Sequence, residues 1–167
     1  MSYEAPVDDI LFALKTAADF SGEMDKGGSH GLDEDTLRAI LEEAGKFAGE
    51  QLAPLNKAGD RTPSRWANGH VVTPMGWKEA YGAFREAGWS ALPCPEQYGG
   101  QALPETVAMA VCEMWNAANL SFGLCPLLTQ GAIDALHAGG SDKLKKDYLP
   151  RMVSGEWTGT MNLTEPH

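Results

Sequence analysis

Apolar residues recur every three to four positions along most of this sequence, and this spacing restricts the chain to a mainly helical fold. The segment from Asp33 to Leu52 shows the pattern most clearly, because its apolar residues form one continuous stripe. Asp33 is the expected N-cap, and Pro54 is expected to close or bend the helix. The stripe consists of Leu37, Ile40, Leu41, Ala44, Phe47, Ala48 and Leu52.

The same spacing predicts further helices, separated by segments rich in glycine, proline and polar residues. These helices are expected at about 7–20, 73–87, 103–118, 122–138 and 142–152. The polar segment Asn56–His70 is predicted to be a loop. We therefore expect an all-α fold, a helical bundle with short connections between its later helices.

The period changes near the end of the sequence. From Trp157 to Thr164, apolar or small residues alternate with polar ones, a pattern typical of a β-strand. A lone strand leaves its backbone donors and acceptors unpaired, so this one is expected to belong to a further unit. The predicted organisation is an extension helix and connector over residues 1–32, a bundle over 33–155 and the start of a β-domain over 156–167.

Composition and charge exclude several classes of function. The formal charge of −10 argues against a nucleic-acid partner and against adsorption to anionic membranes. No stretch reaches the length of apolar sequence that a membrane span needs, and the acidic N-terminus does not resemble a secretory signal. The sequence therefore predicts a cytoplasmic protein. Its three cysteines form no CxxC pair, which disfavours a disulfide framework and a cysteine-based metal site.

Common catalytic motifs are absent from the sequence. The histidines are scattered, with no HxH or HExxH spacing, and no GxSxG, P-loop or GxGxxG motif occurs. Glu42, Glu43 and Glu50 are most simply a solvated helix face. We therefore predict no metal site and assign no catalytic residue.

Three short strings carry more information together than separately. Pro93–Gly100 reads Pro-Cys-Pro-Glu-Gln-Tyr-Gly-Gly, Lys145–Pro150 reads Lys-Lys-Asp-Tyr-Leu-Pro, and Met161–His167 reads Met-Asn-Leu-Thr-Glu-Pro-His. In this order along a helical chain, they resemble the acyl-CoA dehydrogenases from Asp33 onward. The opening segment Tyr3–Asp9 and its extra helix resemble the longer bacterial subgroup that includes 3-(methylthio)propanoyl-CoA dehydrogenase.

The resemblance implies an FAD-dependent enzyme that oxidises an acyl-CoA to a trans-2-enoyl-CoA. In this family a carboxylate base removes the α-proton, and the β-hydrogen passes to the flavin as hydride. The base belongs to a C-terminal domain, so no residue here is matched to it. An electron-transfer flavoprotein or similar acceptor and a homo-oligomeric assembly of the full-length enzyme are also implied.

The resemblance extends to individual site positions. Met161, Leu163 and Thr164 match positions along the flavin ring, although Asn162 departs from the small residue common beside them. Counting back from Gly140-Ser141-Asp142, substrate-binding positions that line the acyl pocket fall on Leu127, Leu128 and Gly131. These three residues share one helical face, which also fits ordinary bundle core.

Two interpretations remain open from the sequence. In the first, the chain is the N-terminal portion of an acyl-CoA dehydrogenase, inactive alone and unable to retain FAD. In the second, it is a stand-alone, non-catalytic helical protein that scaffolds or binds a partner. The unpartnered strand at Trp157–Thr164 favours the first, because a stand-alone protein is expected to cap or lose such a strand.

Overall fold

The computed structural model describes residues 3–18, 20 and 32–162, and its helical content confirms the predicted fold class. The predicted helix over 7–20 is observed as Val7–Thr16, and residue 19 and residues 21–31 of the connector lie outside the described residues. Two 3₁₀ turns, Trp89–Ala91 and Glu96–Tyr98, fall in the region of the Pro-rich string. The α-helices of the described part are α1 (Val7–Thr16), α2 (Glu34–Phe47), α3 (Ala53–Arg61), α4 (Trp77–Glu86), α5 (Glu105–Gly139) and α6 (Asp142–Val153).

The main core lies where α1 and α2 pack against α5. The predicted stripe of α2 is buried as expected, with Leu41 and Ala44 fully inaccessible. An aromatic cluster continues this core toward α4 around Phe84, which is 1% exposed. The rings of Phe47, Tyr81, Trp115 and Phe122 lie within 6.2 Å of Phe84, between centroids. Large rings at such distances contribute both buried area and edge-to-face contact.

The helix that begins at Glu34 does not end at Pro54. It widens into a π-helical turn at Ala48–Leu52 and continues as α3 to Arg61, so the predicted loop is wrong over Asn56–Arg61. Pro54 lies in the first turn of α3, where its missing N–H costs little. The π-helical turn accommodates Pro54, which would otherwise interrupt the helix.

A short hairpin occupies the rest of the predicted loop. Strands β1 (Arg65–Ala67) and β2 (His70–Val72) pair antiparallel, with Trp66 opposite Val71. The turn residues Asn68 and Gly69 have φ of 51° and 82°, the left-handed conformations that a two-residue hairpin turn requires. The predicted loop is therefore also wrong at these two strands, which the sequence pattern did not indicate.

The predicted terminal strand is not formed over residues 157–162. This segment instead packs on α5, where the Gly159 amide donates to Thr129 Oγ1 at 3.1 Å. A Cβ on residue 159 would lie 2.5 Å from Ala132 Cβ, so the close approach requires glycine. Trp157 is held in addition by Arg151, whose guanidinium lies 4.7 Å from its ring centroid. Residues 163 and 164 lie outside the described residues.

Helix α5 is two helices joined at a bend. Asn119 has non-helical torsions (φ −159°, ψ 88°), which agrees with predicted helices that end near 118 and restart near 122. Its side chain is fully buried, and Nδ2 donates to the Leu52 carbonyl at 3.2 Å. Its Oδ1 accepts from the Phe122 amide at 3.2 Å and so caps the second half of α5.

We expect Asn119→Ala to lower the free energy of unfolding by about 2–4 kcal/mol, because it leaves a buried carbonyl and a buried amide without partners. Asn116→Ala is the matched control, since its Nδ2 donates only to the Cys112 sulfur, at 3.5 Å, and its Oδ1 has no hydrogen-bond partner, among the residues that the structure describes. Urea denaturation of both variants gives the comparison. Equal losses of unfolding free energy in the two variants would mean that the hydrogen bonds of Asn119 stabilise the fold no more than that of Asn116.

Candidate functional site

An apolar cavity of about 230 Å³ lies between the two halves of α5, the inner face of α4 and the Trp89–Ala91 turn. Aromatic and aliphatic side chains form most of its wall, and the polar groups gather at a few positions. The residues that line the cavity include Tyr81, Ser90, Glu105, Cys112, Leu127, Thr129, Gln130, Gly131 and Asp134.

The bend at Asn119 creates this cavity. Glu105 and Asp134 stand 29 positions apart on α5, which in a straight helix would separate them by about 44 Å. Both nevertheless line the same cavity, so the two halves of the helix face each other. Asn119 lies near the midpoint between them, where the two halves of α5 meet at the bend. The cavity is therefore the space that the two halves enclose.

The structure brings two of the three predicted substrate-binding residues to the cavity. Leu127 and Gly131 line it, whereas Leu128 is partly buried and does not. Leu127 is 43% exposed, and a Cβ on Gly131 would meet no atom within 4 Å. Both positions therefore face open space rather than tightly packed core. Their role in binding an acyl group stays a prediction.

Of the three predicted flavin positions, the structure describes Met161, which is 56% exposed in a segment without regular secondary structure. Leu163 and Thr164 lie outside the described residues. The bond from the Gly159 amide to Thr129 fixes this segment to the cavity wall two residues before Met161. An exposed, polarizable side chain held there fits one apolar wall of a site for a flat ring.

Two polar side chains of the cavity wall, Gln130 and Asp134, form a connected group with Cys94, which is buried behind the wall. Cys94 Sγ donates to Gln130 Oε1 at 3.5 Å, and Gln130 Nε2 donates to Asp134 Oδ1 at 2.8 Å. Burial, and then the charge of Asp134, raises the pKa of Glu105 above its ordinary value. Burial is also the main reason that the pKa of Cys94 is raised to about 11. The group is thus acidic, and its thiol stays protonated at neutral pH.

Sequence reasoning missed Glu105, Gln130 and Asp134. A usable pattern was present, because Leu127, Gln130 and Asp134 recur at intervals of three and four residues and so share a helical face. The facing half of α5 carries Glu105 at the start of a similar series. Without knowledge of the bend, however, nothing in the sequence places these two faces opposite each other.

The described residues contain no group of His, Cys, Asp and Glu side chains that could hold a metal ion. Among the helices in the part of the chain that the structure covers, none is long and apolar enough to cross a membrane. His30 and His167 fall outside these residues. The two described histidines lie apart, His70 in the hairpin and His137 near the end of α5.

Residues 34–156 match the family model described as the acyl-CoA dehydrogenase N-terminal domain. The match begins at the first residue of α2 and extends just past the end of α6, so it includes every element that forms the cavity. This chain therefore belongs to the acyl-CoA dehydrogenase family, and the resemblance seen in its motifs is confirmed.

Two curated relatives show how widely this domain is used. Over 99% of this chain, it is 48% identical to 3-methylmercaptopropionyl-CoA dehydrogenase of Ruegeria pomeroyi. Over 84% of this chain, it is 30% identical to (2S)-methylsuccinyl-CoA dehydrogenase of Cereibacter sphaeroides. The chain spans 28% and 24% of the lengths of these relatives, so it corresponds to a minor part of each.

A solved structure from Acidaminococcus fermentans shows the same fold. Its title reads "Electron transferring flavoprotein of Acidaminococcus fermentans: Towards a mechanism of flavin-based electron bifurcation". It superposes with a TM-score of 0.66 over 83% of this chain and 33% of the matched chain, at 24% identity. At that identity the likeness concerns the fold alone.

The three thiols should differ in reactivity toward a maleimide at pH 8. Cys125 is exposed and should react first, whereas Cys94 is buried with a pKa of about 11, so roughly one Cys94 in a thousand is thiolate. Peptide mapping after timed labelling gives the order, and the urea-unfolded chain serves as control. Rapid labelling of Cys94 in the folded chain would contradict its burial.

Glu105→Gln should raise the melting temperature at pH 7 by about 1–3 °C, since it removes a carboxylate that partial burial and then the charge of Asp134 both disfavour. Because the folded pKa of Glu105 is raised, its contribution to stability is complete below the ordinary carboxyl pKa and is lost as pH rises through the raised value. The gain should therefore shrink as pH falls. Melting curves across the acid range test this, with Glu113→Gln, outside the cavity, as control.

Proposed function

We propose that this chain is the acyl-binding part of an FAD-dependent acyl-CoA dehydrogenase that converts an acyl-CoA to a trans-2-enoyl-CoA. The observation that carries the proposal is the cavity within the α5 bend, to which the fold brings Leu127 and Gly131. Family membership supplies the class of reaction. The proposed division is an extension over 1–32, a bundle over 33–155 and the start of a flavin-binding domain over 156–167.

The chemistry of the cavity favours an acyl group, and the name of a relative favours a short one. Within this chain the cavity has a volume of about 230 Å³. Its wall is mostly apolar, which suits an acyl chain better than the polar parts of coenzyme A. The 48% identical relative acts, by its name, on 3-methylmercaptopropionyl-CoA, and a comparably short acyl group is proposed for this protein.

The proposed flavin contacts are Met161, Leu163 and Thr164. FAD, when bound, accepts the hydride that leaves the β-carbon, and the protein orients the acyl group for that transfer. The attachment of Gly159 to Thr129 supports this assignment, because it places the proposed flavin-side segment beside the proposed acyl cavity. Leu128, which does not line the cavity, is the least supported of the proposed substrate contacts.

The remaining parts of the proposal concern groups that this chain does not supply. The base that takes the α-proton is assigned to the C-terminal domain of the family. An electron-transfer flavoprotein or similar acceptor is proposed as the redox partner, and a homo-oligomer as the full-length form. The role left to this chain is to bind the acyl group, orient it and exclude water from it.

The test is a flavin absorption spectrum of the full-length gene product and a dye-reduction assay with straight-chain acyl-CoAs. We expect a yellow protein that reduces dye with short acyl-CoAs and releases the 2-enoyl product. The 167-residue chain alone should be colourless and inactive. A full-length protein that neither binds FAD nor reduces dye would overturn the proposal, and a yellow, active 167-residue chain would overturn the placement of the base elsewhere.

Gly131→Leu in the full-length protein should lower kcat/KM for long acyl-CoAs more than for short ones, because its side chain would fill open cavity space. Each methylene excluded should change the ratio by about tenfold. Gly139→Leu is the matched control, since its Cβ also meets no atom within 4 Å but the residue does not line the cavity. An unchanged chain-length profile in Gly131→Leu would remove this glycine from the binding site.

A further inference from the structure

The cavity carries negative charge and no positive charge. Glu105 and Asp134 are the carboxylates among its described lining residues, and no Lys, Arg or His lines it. Arg85 lies beyond the lining and donates from Nε to the Ser154 carbonyl at 3.2 Å. The charged groups of the wall itself are therefore the two carboxylates, and Arg85, whose charge reaches Tyr81, lies behind the wall.

The two carboxylates act on the same space. They come from opposite arms of the α5 bend, and the charge of Asp134 contributes to the raised pKa of Glu105. The charges of both also contribute to the raised pKa of the Cys94 thiol beside them. Both residues are exposed to solvent, although burial is enough to raise the pKa of Glu105. An anion that entered the cavity would be repelled by both charges.

Several neutral donors of the cavity wall are engaged within the protein. Four polar side chains of the wall each donate one hydrogen bond to another protein group. The bonds run from Tyr81 to the Gly155 carbonyl (2.9 Å), from Ser90 to the Val153 carbonyl (2.9 Å), from Thr129 to the Cys125 carbonyl (2.8 Å) and from Gln130 to Asp134 Oδ1 (2.8 Å).

We infer that Glu105 and Asp134 make this cavity select uncharged acyl groups and reject acyl-CoAs whose acyl group ends in a carboxylate. The inference rests on the proposed function, which places the acyl group in the cavity. Family membership does not decide the point, since the named relatives include one for methylsuccinyl-CoA, whose acyl group carries a carboxylate. The selection works by repulsion of the wrong substrate rather than by a new contact to the right one.

The test compares kcat/KM for glutaryl-CoA and for 5-methylhexanoyl-CoA, in which an isopropyl group replaces the carboxylate at nearly the same size. The enzyme is the FAD-loaded full-length protein, assayed by dye reduction. Wild type should favour the neutral probe by about tenfold or more, the effect of a like charge at close range. In Glu105→Gln/Asp134→Asn, which keeps shape and removes charge, this ratio should fall by about tenfold.

Glu86→Gln/Glu113→Gln removes the same number of charges outside the cavity and should leave the ratio within about twofold of wild type. The single variant Glu105→Gln serves if the double variant does not fold. Equal use of both probes by wild type would overturn the inference and leave the proposed function standing, as would a ratio that Glu105→Gln/Asp134→Asn does not change. A full-length protein that turns over neither these probes nor any other acyl-CoA would overturn the proposed function itself.

Discussion

The arrangement of this domain depends on one buried side chain, that of Asn119. Its amide nitrogen holds the carbonyl of Leu52 at the end of the π-helical turn, and its oxygen caps the helix that starts beyond the bend. A buried amide that satisfies a donor and an acceptor at once fixes both its neighbours, because leaving either unpaired would be costly. The side chain of Asn119 thus connects the π-helical turn that ends at Leu52 with the bend in α5.

The aromatic cluster packs around the same bend. Phe47 comes from the helix before the π turn, Phe84 from α4, and Trp115 and Phe122 from either side of the bend. Their rings fill the core around the bend, and Phe84 and Trp115 also form part of the cavity wall. The aromatic cluster therefore supports both the bend and one side of the cavity.

Periodicity predicted the helices well, because helical burial depends mostly on the local spacing of residues such as Leu37, Leu41 and Ala44. It failed where a tertiary contact overrode a local preference. Pro54 reads as a helix end, yet the π turn carries the helix past it. The Asn68-Gly69 pair was a recognisable hairpin sequence, but the strands beside it are only three residues long. Motif comparison placed Leu127 and Gly131 at the cavity, whereas Glu105 and Asp134 became visible only once the bend was known.

The contact of Gly159 with α5 limits how the tail of the domain can vary. Between the end of α6 at Val153 and the hydrogen bond at Gly159 the chain has little slack, and it passes through the left-handed turn at Gly155 on the way. Inserting one residue in this stretch would bring a side chain against Ala132, and deleting one would pull the backbone away from Thr129. The number of residues between α6 and Gly159 is therefore fixed by this contact. A sequence that keeps the bundle but changes this number would lose either the bond to Thr129 or the close approach to Ala132.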